Sequence, residues 1–298
     1  ELLNLYNMEL DELLKISSQF IKNEVEFCSL INARNGKCSQ NCKYCAQSSH
    51  YCTNIESYPL VSVDEVKKAA EDAKSHKASR FAIVTSGRTP DEGRDFQIEL
   101  DMIKEINKID GLKSCASIGI LNEEQAKQLA DAGLTRFHHN INTSRSYYTE
   151  VCTTHKFEDR INTCKLVKKY GMELCCGVIL GMGESIEQRV EMALELAEIE
   201  PDSIPINILM PIPETPFENY LDKIDEENIL RTLAVFKIAN PKSVLRFCGG
   251  RMRLSEENQK KALKTCVEGI MVGNYLTTVG KAPEEDIKTV SELGKVIV

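Results

Sequence analysis

The sequence lacks several features that define broad classes of protein. No apolar run is long enough to span a bilayer, and there is no signal-peptide pattern, low-complexity segment or repeat with sequence identity. Basic residues number 37 and acidic residues 45, and this formal net charge of -8 argues against a general nucleic-acid binder. The absences favour an enzyme for a small molecule, with no membrane or nucleic-acid partner. Because the chain begins at Glu1, we expect preceding residues to be missing.

Short apolar runs alternate with longer amphipathic runs along the 298 residues, a pattern typical of parallel strands covered by helices. Capping boxes predict helix starts after Ser62 and Ser185, and Asn122 is expected to cap a third helix. The predicted strands are Val25–Ile31, Phe81–Thr85, Ser114–Ile118, Phe137–Ile141, Leu174–Leu180, Ile204–Leu209, Val244–Phe247 and Gly269–Val272.

Eight strands alternating with helices over about 250 residues predict an α/β fold, a (β/α)8 TIM-type barrel. We expect one domain over 1–298, with an extra N-terminal helix at about 5–22 and with 203–298 completing the barrel. An open doubly wound sheet is the alternative. It is weakened because the first strand–helix turn has no Gly-x-Gly-x-x-Gly fingerprint.

Cysteine is in clear excess, with twelve in the chain. Disulfide frameworks suit small secreted domains, and this chain is neither small nor visibly secreted. Metal–sulfur chemistry therefore explains the excess better than disulfides or scattered buried thiols. Four of the cysteines fall in loops or predicted outer helices and are interpreted as structural or incidental. These are Cys52, Cys152, Cys164 and Cys266.

Three cysteines, Cys38, Cys42 and Cys45, follow the first predicted strand with the spacing Cys-x3-Cys-x2-Cys. In a barrel this is the catalytic face. Four thiolates close a [4Fe-4S] cluster, whereas three leave one iron open to bind substrate. S-adenosylmethionine (SAM) can chelate that iron, and reduction then yields methionine and a 5′-deoxyadenosyl radical.

Zinc is the alternative occupant of this loop. Structural zinc needs four ligands, usually in two separated pairs, and no second Cys-x2-Cys occurs in the chain. With Tyr44 directly before the last cysteine, the loop resembles the signature of the radical SAM superfamily.

A second group of cysteines falls on alternate predicted strands, namely Cys28, Cys115, Cys175 and Cys248. Alternate strands of an eight-stranded barrel contribute one interior layer, so these thiols can converge on one site. Arg246 faces the same side as Cys248, and a buried arginine requires an anion such as an iron–sulfur cluster. We therefore expect a second, auxiliary cluster beneath the first. The alternative is that each cysteine is a small core residue.

Over nearly its whole length the chain resembles the biotin synthase family. The landmarks that carry the resemblance are the Cys38–Cys45 loop with Ala46-Gln47, Arg80-Phe81, Asp131-Ala132-Gly133, His139-Asn140, Thr153-Thr154-His155, Asp159-Arg160, Gly181-Met182-Gly183-Glu184, Pro205-Ile206-Asn207-Ile208-Leu209, Arg246, Gly250-Arg251 and Leu276-Thr277-Thr278. The resemblance implies a homodimeric barrel that inserts sulfur from an auxiliary cluster into dethiobiotin, consuming two SAM molecules. We expect a flavodoxin- or ferredoxin-type electron donor, and cluster chemistry favours a cytoplasmic, oxygen-avoiding setting.

The resemblance also implies which residues bind the small molecules. His138 stands where the family often has asparagine beside the substrate, and a satisfied residue at the barrel rim is the alternative role. The Thr277-Thr278 pair matches substrate positions as well, although an end-of-strand turn would explain both hydroxyls. Positions that contact SAM are matched by Tyr44, Thr85, Asn140, Asn142, Ile179 and Asn207. Positions that contact dethiobiotin fall on His138, Asn140, Thr277 and Thr278.

The auxiliary site departs from the familiar family form, which has three cysteines and an arginine around a two-iron cluster. One of those cysteines is replaced by Ala82, and Cys28 and Cys248 stand where that form usually has serine. This rearranged ligand set favours a four-iron core over [2Fe-2S]. The expected ligands are Cys28, Cys115, Cys175 and either Cys248 or Arg246.

Two other functions stay open on the sequence. Another radical SAM barrel enzyme, of the hydrogenase-maturation or methylornithine-synthase type, would share the three-cysteine loop. It would not need both the cysteine layer and Thr277-Thr278. A non-catalytic iron–sulfur carrier would not need the Gly181–Glu184 loop or the Pro205–Leu209 strand.

Overall fold

The computed structural model describes residues 1–90, 92–220, 225–273 and 280–298. Within these ranges, ten strands form one parallel sheet in the order β10-β1-β2-β3-β4-β5-β7-β8-β9, with β6 beside β7. The strands are β1 Glu24–Arg34, β2 Arg80–Thr85, β3 Lys113–Ser117, β4 Arg136–His138, β5 Glu173–Cys175, β6 Val178–Leu180, β7 Ser203–Ile208, β8 Val244–Phe247, β9 Gly269–Met271 and β10 Val296–Ile297.

The sheet closes on itself because β1 also pairs with β9. Two short strands, β5 and β6, share the fifth position, and β10 extends the sheet beside the start of β1. The predicted (β/α)8 barrel is therefore confirmed, and the open sheet is excluded. All eight predicted strand positions are occupied.

Helices cover the outside of the barrel. Capping boxes at Ser62, Asn122 and Ser185 start three of them, as predicted. The helices are α1 Leu2–Tyr6, α2 Leu10–Ser17, α3 Val63–Ser75, α4 Arg94–Ile106, α5 Glu123–Asp131, α6 Tyr148–Val151, α7 Phe157–Lys169, α8 Ile186–Ile199, α9 Glu226–Ala239, α10 Glu256–Thr265 and α11 Pro283–Glu292. None of the helices in the described ranges is long and apolar enough to cross a membrane.

The single N-terminal helix expected at 5–22 is wrong in detail. The structure has two short helices, α1 and α2, followed by a 3-10 turn at Ser18–Phe20. Asn7 ends α1, and its side-chain amide donates to the carbonyl of Leu3 at 3.0 Å. The break lets both helices pack against α9, where the Tyr6 hydroxyl donates to the carbonyl of Asn228 at 3.0 Å.

The fifth barrel position is interrupted between β5 and β6, at Cys176 and Gly177. A Cβ atom at Gly177 would lie 2.0 Å from the carbonyl oxygen of Pro205 on β7, so only glycine allows this close approach. The interruption turns Cys176 outward, where its Sγ lies 3.9 Å from that of Cys164 on α7. Cys175 stays on the interior side.

Candidate active site

The three-cysteine loop follows β1 at the carboxyl ends of the barrel strands. Backbone bonds fold it tightly: the N–H of Cys38 donates to the carbonyl of Gln47 at 2.9 Å, and that of Cys45 donates to the carbonyl of Cys42 at 3.0 Å. Gly36 opens the loop with φ of 80°, and a Cβ there would lie 2.5 Å from Ser57 Oγ. The backbone therefore fixes the spacing of the three thiols.

Asn41 fastens the loop to the segment that follows α6. Its Oδ1 accepts the backbone N–H groups of Thr153 and Thr154 at 3.0 and 3.2 Å, and its Nδ2 donates to Thr153 Oγ1 at 2.7 Å. The Lys43 N–H adds a bond to the carbonyl of Val151 at 3.0 Å. These contacts explain why the Thr153-Thr154-His155 landmark accompanies the cysteine loop.

Cys152, interpreted from the sequence as structural or incidental, lies directly against a thiol of the loop. Its Sγ is 3.6 Å from Cys42 Sγ and 3.4 Å from His155 Nε2. The hydrogen bond with Cys152, together with burial, raises the pKa of Cys42, and burial raises that of Cys45 to about 11. Neither Cys42 nor Cys45 is therefore ionised at neutral pH by itself, and a metal that binds them must displace their protons.

Two adjoining cavities open at this face of the barrel, with volumes of about 240 and 270 Å³. They share a wall that includes Tyr44, His138 and Asn140. The three loop cysteines line the smaller cavity, together with Thr85 and Asn142. The larger cavity is lined by Ile179 and Asn207, and all six residues predicted to bind SAM therefore line this pair. Thr277 and Thr278, predicted to bind substrate, lie outside the described residues.

The shared wall offers hydrogen-bonding groups that include an uncharged His138 ring. His138 lies beside Cys175 in the β4–β5 register. Burial, reinforced by Arg136 and Arg246, lowers the pKa of His138 well below its ordinary value, so its ring is neutral at physiological pH. Asn140 Oδ1 accepts the N–H of Gly177 at 3.0 Å, which holds that amide in place.

The cysteines on alternate barrel positions form a buried layer beneath the larger cavity. The fraction exposed is 0% for Cys28 and Cys115, 1% for Cys175 and 5% for Cys248. Cys28 and Cys248 pack together with Met271, and the last two also line the cavity. Cys248 therefore belongs both to the cysteine layer and to the lining of the larger cavity.

A layer of charged side chains, largely missed by sequence reasoning, lies on the other side of the cysteines. Glu26 on β1 pairs with three arginines: Arg80 Nε at 2.7 Å, Arg136 Nη1 at 2.9 Å, and Arg246 Nη2. Arg80 and Arg136 also pair with Glu173, at 2.9 and 2.7 Å. Although burial opposes the effect, the three guanidinium groups hold the pKa of Glu26 well below its ordinary value.

The expectation that an iron–sulfur cluster must supply the anion for Arg246 needs correction, because Glu26 already pairs with it and Ser203 Oγ accepts from its Nε at 2.9 Å. Even so, three arginines face two carboxylates in this layer. Two buried guanidinium nitrogens, Arg80 Nη1 and Arg246 Nη1, have no hydrogen-bond partner among the described residues. A surplus cation beside four thiols fits an anionic, thiolate-held group.

Glu99 is a buried carboxyl group behind the smaller cavity, and it accepts from Thr85 Oγ1 at 3.3 Å. Burial raises the pKa of Glu99 from 4.5 to about 7. Its contribution to stability is complete below about pH 4.5 and is lost as the pH rises to about 7, because the unfolded chain releases the proton first.

Between about pH 4.5 and pH 7, Glu99 should lower the free energy of unfolding by up to about 3 kcal/mol as the pH rises. We expect Glu99→Gln to abolish this part of the pH dependence. Urea unfolding at several pH values measures the effect, with the exposed Glu92→Gln as the matched control. An unchanged pH dependence in Glu99→Gln would contradict this role of burial.

The Gly181–Glu184 loop is held by its own last residue. The Glu184 carboxylate accepts the N–H groups of Gly181 and Met182, both at 2.8 Å, and pairs with Arg189 Nη2 at 2.9 Å. The acid of this landmark therefore shapes the loop, which begins beside Leu180 at the end of β6. It does not line either cavity.

Replacing Glu184 by alanine leaves Arg189 buried without its anion. We expect the free energy of unfolding to fall by about 3–5 kcal/mol. The exposed Glu198→Ala on α8, the helix that carries Arg189, serves as control and is expected to change the free energy of unfolding by less than about 0.5 kcal/mol. Equal stability of the two variants in denaturant titrations would show that the loop does not depend on this ion pair.

Comparison with known protein families gives two matches along the chain. Residues 34–197, more than half of the 298, match the radical SAM superfamily. Residues 205–296 match the Biotin and Thiamin Synthesis associated domain.

Curated relatives match over almost the whole chain. The biotin synthase of Acetivibrio thermocellus is 45% identical over 280 residues, covering 94% of this chain and 87% of that protein. The biotin synthase of Clostridium tetani is 42% identical over 291 residues, covering 98% and 88%.

Among solved structures, methylornithine synthase superposes with a TM-score of 0.84 at 16% identity, covering all of this chain and 93% of its own. A maturase of the [FeFe]-hydrogenase superposes with a TM-score of 0.80 at 17% identity, covering 98% of this chain and 70% of its own. Identities this low show the shared barrel alone.

Proposed function

The chain belongs to the biotin synthase family of radical SAM enzymes, and on that premise we propose that it inserts sulfur into dethiobiotin to form biotin. The barrel by itself does not select this reaction, because methylornithine synthase and the hydrogenase maturase share it at low identity. The observation that carries the proposal is a pair of adjoining cavities, with the three-cysteine loop lining one and Cys248, from the buried cysteine layer, lining the other. A non-catalytic carrier would not need those cavities.

The family implies a [4Fe-4S] cluster and SAM. When bound, they supply reductive cleavage of SAM, which generates the radical that abstracts hydrogen from unactivated carbon. We propose that Cys38, Cys42 and Cys45 hold this cluster and leave one iron open to SAM. Tyr44 and Asn140, in the wall common to both cavities, would position SAM against the substrate.

Dethiobiotin would occupy the larger cavity, between SAM and the cysteine layer. The neutral ring of His138 offers one donor and one acceptor there without adding charge. The apolar lining, including Leu30, Ile179 and Leu209, keeps water away from the reacting carbons. The carboxylate would be bound by the Thr277-Thr278 pair, an assignment that rests on the family resemblance.

We propose that the buried cysteine layer holds the auxiliary cluster that supplies the sulfur atom. The four thiols, Cys28, Cys115, Cys175 and Cys248, are proposed to hold a four-iron core; four thiolates can also hold a [2Fe-2S] core, and the iron content distinguishes the two. Because Arg246 is engaged by Glu26 and Ser203, we favour Cys248 as the fourth ligand. The surplus positive charge below would offset the charge of the cluster and its thiolates.

The remaining features of the proposed enzyme come from the family resemblance and from general chemistry. We propose a homodimer, electrons from a flavodoxin- or ferredoxin-type protein, and a cytoplasmic, oxygen-avoiding setting. The two matched regions would act as one folding unit, since the part of β7 in the second region pairs with β6 from the first.

The test is an anaerobic reaction. The protein is reconstituted with iron and sulfide, SAM, dethiobiotin and a strong reductant are added, and both 5′-deoxyadenosine and biotin are followed by mass spectrometry. Formation of both products establishes the reaction. 5′-Deoxyadenosine without biotin, from protein carrying its full iron content, would reject dethiobiotin as the substrate.

A further inference from the structure

We propose that, in the cluster-free protein, Cys42, Cys152 and His155 form a site for a single soft divalent cation such as Zn²⁺. The two sulfur atoms and one ring nitrogen lie within 4.8 Å of one another, and all three residues are buried. Cys42 Sγ lies 3.6 Å both from Cys152 Sγ and from His155 Nε2. Two thiolates and one imidazole are a preferred donor set for Zn²⁺.

The imidazole of His155 is already held in the state that binds a metal. Arg160 Nη2, which can only donate, contacts His155 Nε2 at 3.3 Å, so this nitrogen carries the lone pair. The hydrogen is therefore on Nδ1, which lies 2.8 Å from Tyr148 Oη. Tyr148 is fixed in turn by Arg160 Nε at 2.6 Å. Such outer contacts orient metal-binding histidines in general, and the cation would displace the long Arg160–Nε2 bond together with the weak contacts of the two thiols.

Binding the cation needs no redox step. The thiols of Cys42 and Cys152 each release one proton, and the two thiolates neutralise the charge of Zn²⁺, so no net charge is added to the buried site. A water molecule would complete a tetrahedral set, as at zinc sites with three protein ligands.

The site would compete with cluster assembly, because Cys42 is shared with the three-cysteine loop. An ion held by Cys42, Cys152 and His155 removes one of the three thiolates that the [4Fe-4S] cluster requires. The protein would then have to lose this ion before iron and sulfide could fill the loop. This competition rests on the proposed role of Cys42 as a cluster ligand, whereas the ion site itself does not.

Cobalt binding to the metal-free full-length protein tests the site directly, because thiolate ligands give Co²⁺ a distinct charge-transfer absorption. The background is Cys38→Ser/Cys45→Ser, which leaves Cys42 as the one thiol of the loop. In this background we expect Cys152→Ser to lower bound Co²⁺ by one ion per chain, with His155→Gln giving the same loss. The exposed Cys52→Ser is the matched control and should retain the ion.

Equal Co²⁺ binding and unchanged absorption in the Cys152→Ser and Cys52→Ser variants would overturn the proposal. The proposal would also be overturned if the Cys38→Ser/Cys45→Ser protein bound one Co²⁺ fewer than the unmodified protein and Cys152→Ser removed no further ion. The lost ion would then belong to the three-cysteine loop itself.

Cluster absorbance gives a second readout in protein whose loop is intact. We expect Zn²⁺ to block reconstitution of the cluster. Cys152→Ser should raise the Zn²⁺ concentration that blocks half of the reconstitution by at least about tenfold. Losing a residue that only supports a metal ligand already lowers metal affinity about that much, and Cys152 is a ligand itself. Cys52→Ser should leave that concentration unchanged. Equal sensitivity of the two variants to Zn²⁺ would contradict competition at Cys42.

Discussion

Cys42→Ala is expected to abolish 5′-deoxyadenosine formation, with a loss of more than about a thousandfold in rate. The loop is proposed to supply three thiolates, and with only two the [4Fe-4S] cluster would lack a ligand that it requires. The rest of the loop should keep its shape, because its backbone bonds and the contacts of Asn41 with Thr153 and Thr154 do not involve the Cys42 side chain. Anaerobic reconstitution followed by quantification of 5′-deoxyadenosine measures the loss.

The proximity of Cys152 makes a second variant necessary. Its Sγ lies 3.6 Å from that of Cys42, and this thiol could replace the missing ligand. Any residual cluster in Cys42→Ala should therefore disappear in Cys42→Ala/Cys152→Ala. Cys52→Ala, at an exposed position, is the control for thiol removal in general. Undiminished SAM cleavage by the double variant would exclude Cys42 as a ligand.

Cys115→Ala is expected to give the second large effect, which separates the two halves of the reaction. Cys115 is fully buried on β3 and lines neither cavity, so SAM should still be cleaved. Biotin should not form, because the proposed auxiliary site would lose one of its thiolates. The expected result is measurable 5′-deoxyadenosine with biotin below detection, a drop of at least about a hundredfold in the ratio of the two products.

Two buried cysteines provide matched controls for Cys115→Ala. Cys164 and Cys176 contact each other at 3.9 Å outside the barrel interior, and Cys164→Ala should lower stability without changing the product ratio. Sulfur insertion at the normal ratio by Cys115→Ala would remove Cys115 from the mechanism. Iron content gives a parallel check: about eight irons per chain supports two four-iron clusters, about six a [2Fe-2S] auxiliary cluster, and about four would contradict a second cluster.

The barrel was predictable because its strands are short apolar runs between capped helices. Capping boxes are local signals, and those at Ser62 and Ser185 start helices as predicted. The same local reasoning failed at the N-terminus, where one amphipathic stretch is divided at Asn7–Glu9. The division into α1 and α2 depends on the packing of both helices against α9, which is more than 200 residues away in the sequence.

The cysteine layer was predictable from strand alternation, but the charged layer beside it was not. Glu26, Arg136 and Glu173 look like ordinary polar residues at strand ends. They lie on β1, β4 and β5, and they come together only because the strands from β1 to β5 pair in order around the barrel. The Arg80-Phe81 landmark was the available signal.

In the same way, Cys152 is distant in sequence from the loop that it contacts, and the Thr153-Thr154-His155 landmark was the hint of that contact. The assignments to individual ligands and to SAM contacts stay predictions.

The most direct test of the central claim, that this chain makes biotin with sulfur held in its own barrel, is a single turnover with labelled sulfur. The protein is reconstituted with heavy-isotope sulfide, freed of excess sulfide, and reacted with SAM, dethiobiotin and reductant while light sulfide is present in solution. If the sulfur comes from a cluster in the barrel, biotin carries the heavy isotope in the first turnover. Biotin that carries only light sulfur, or 5′-deoxyadenosine without biotin from protein with its full iron content, would contradict this claim.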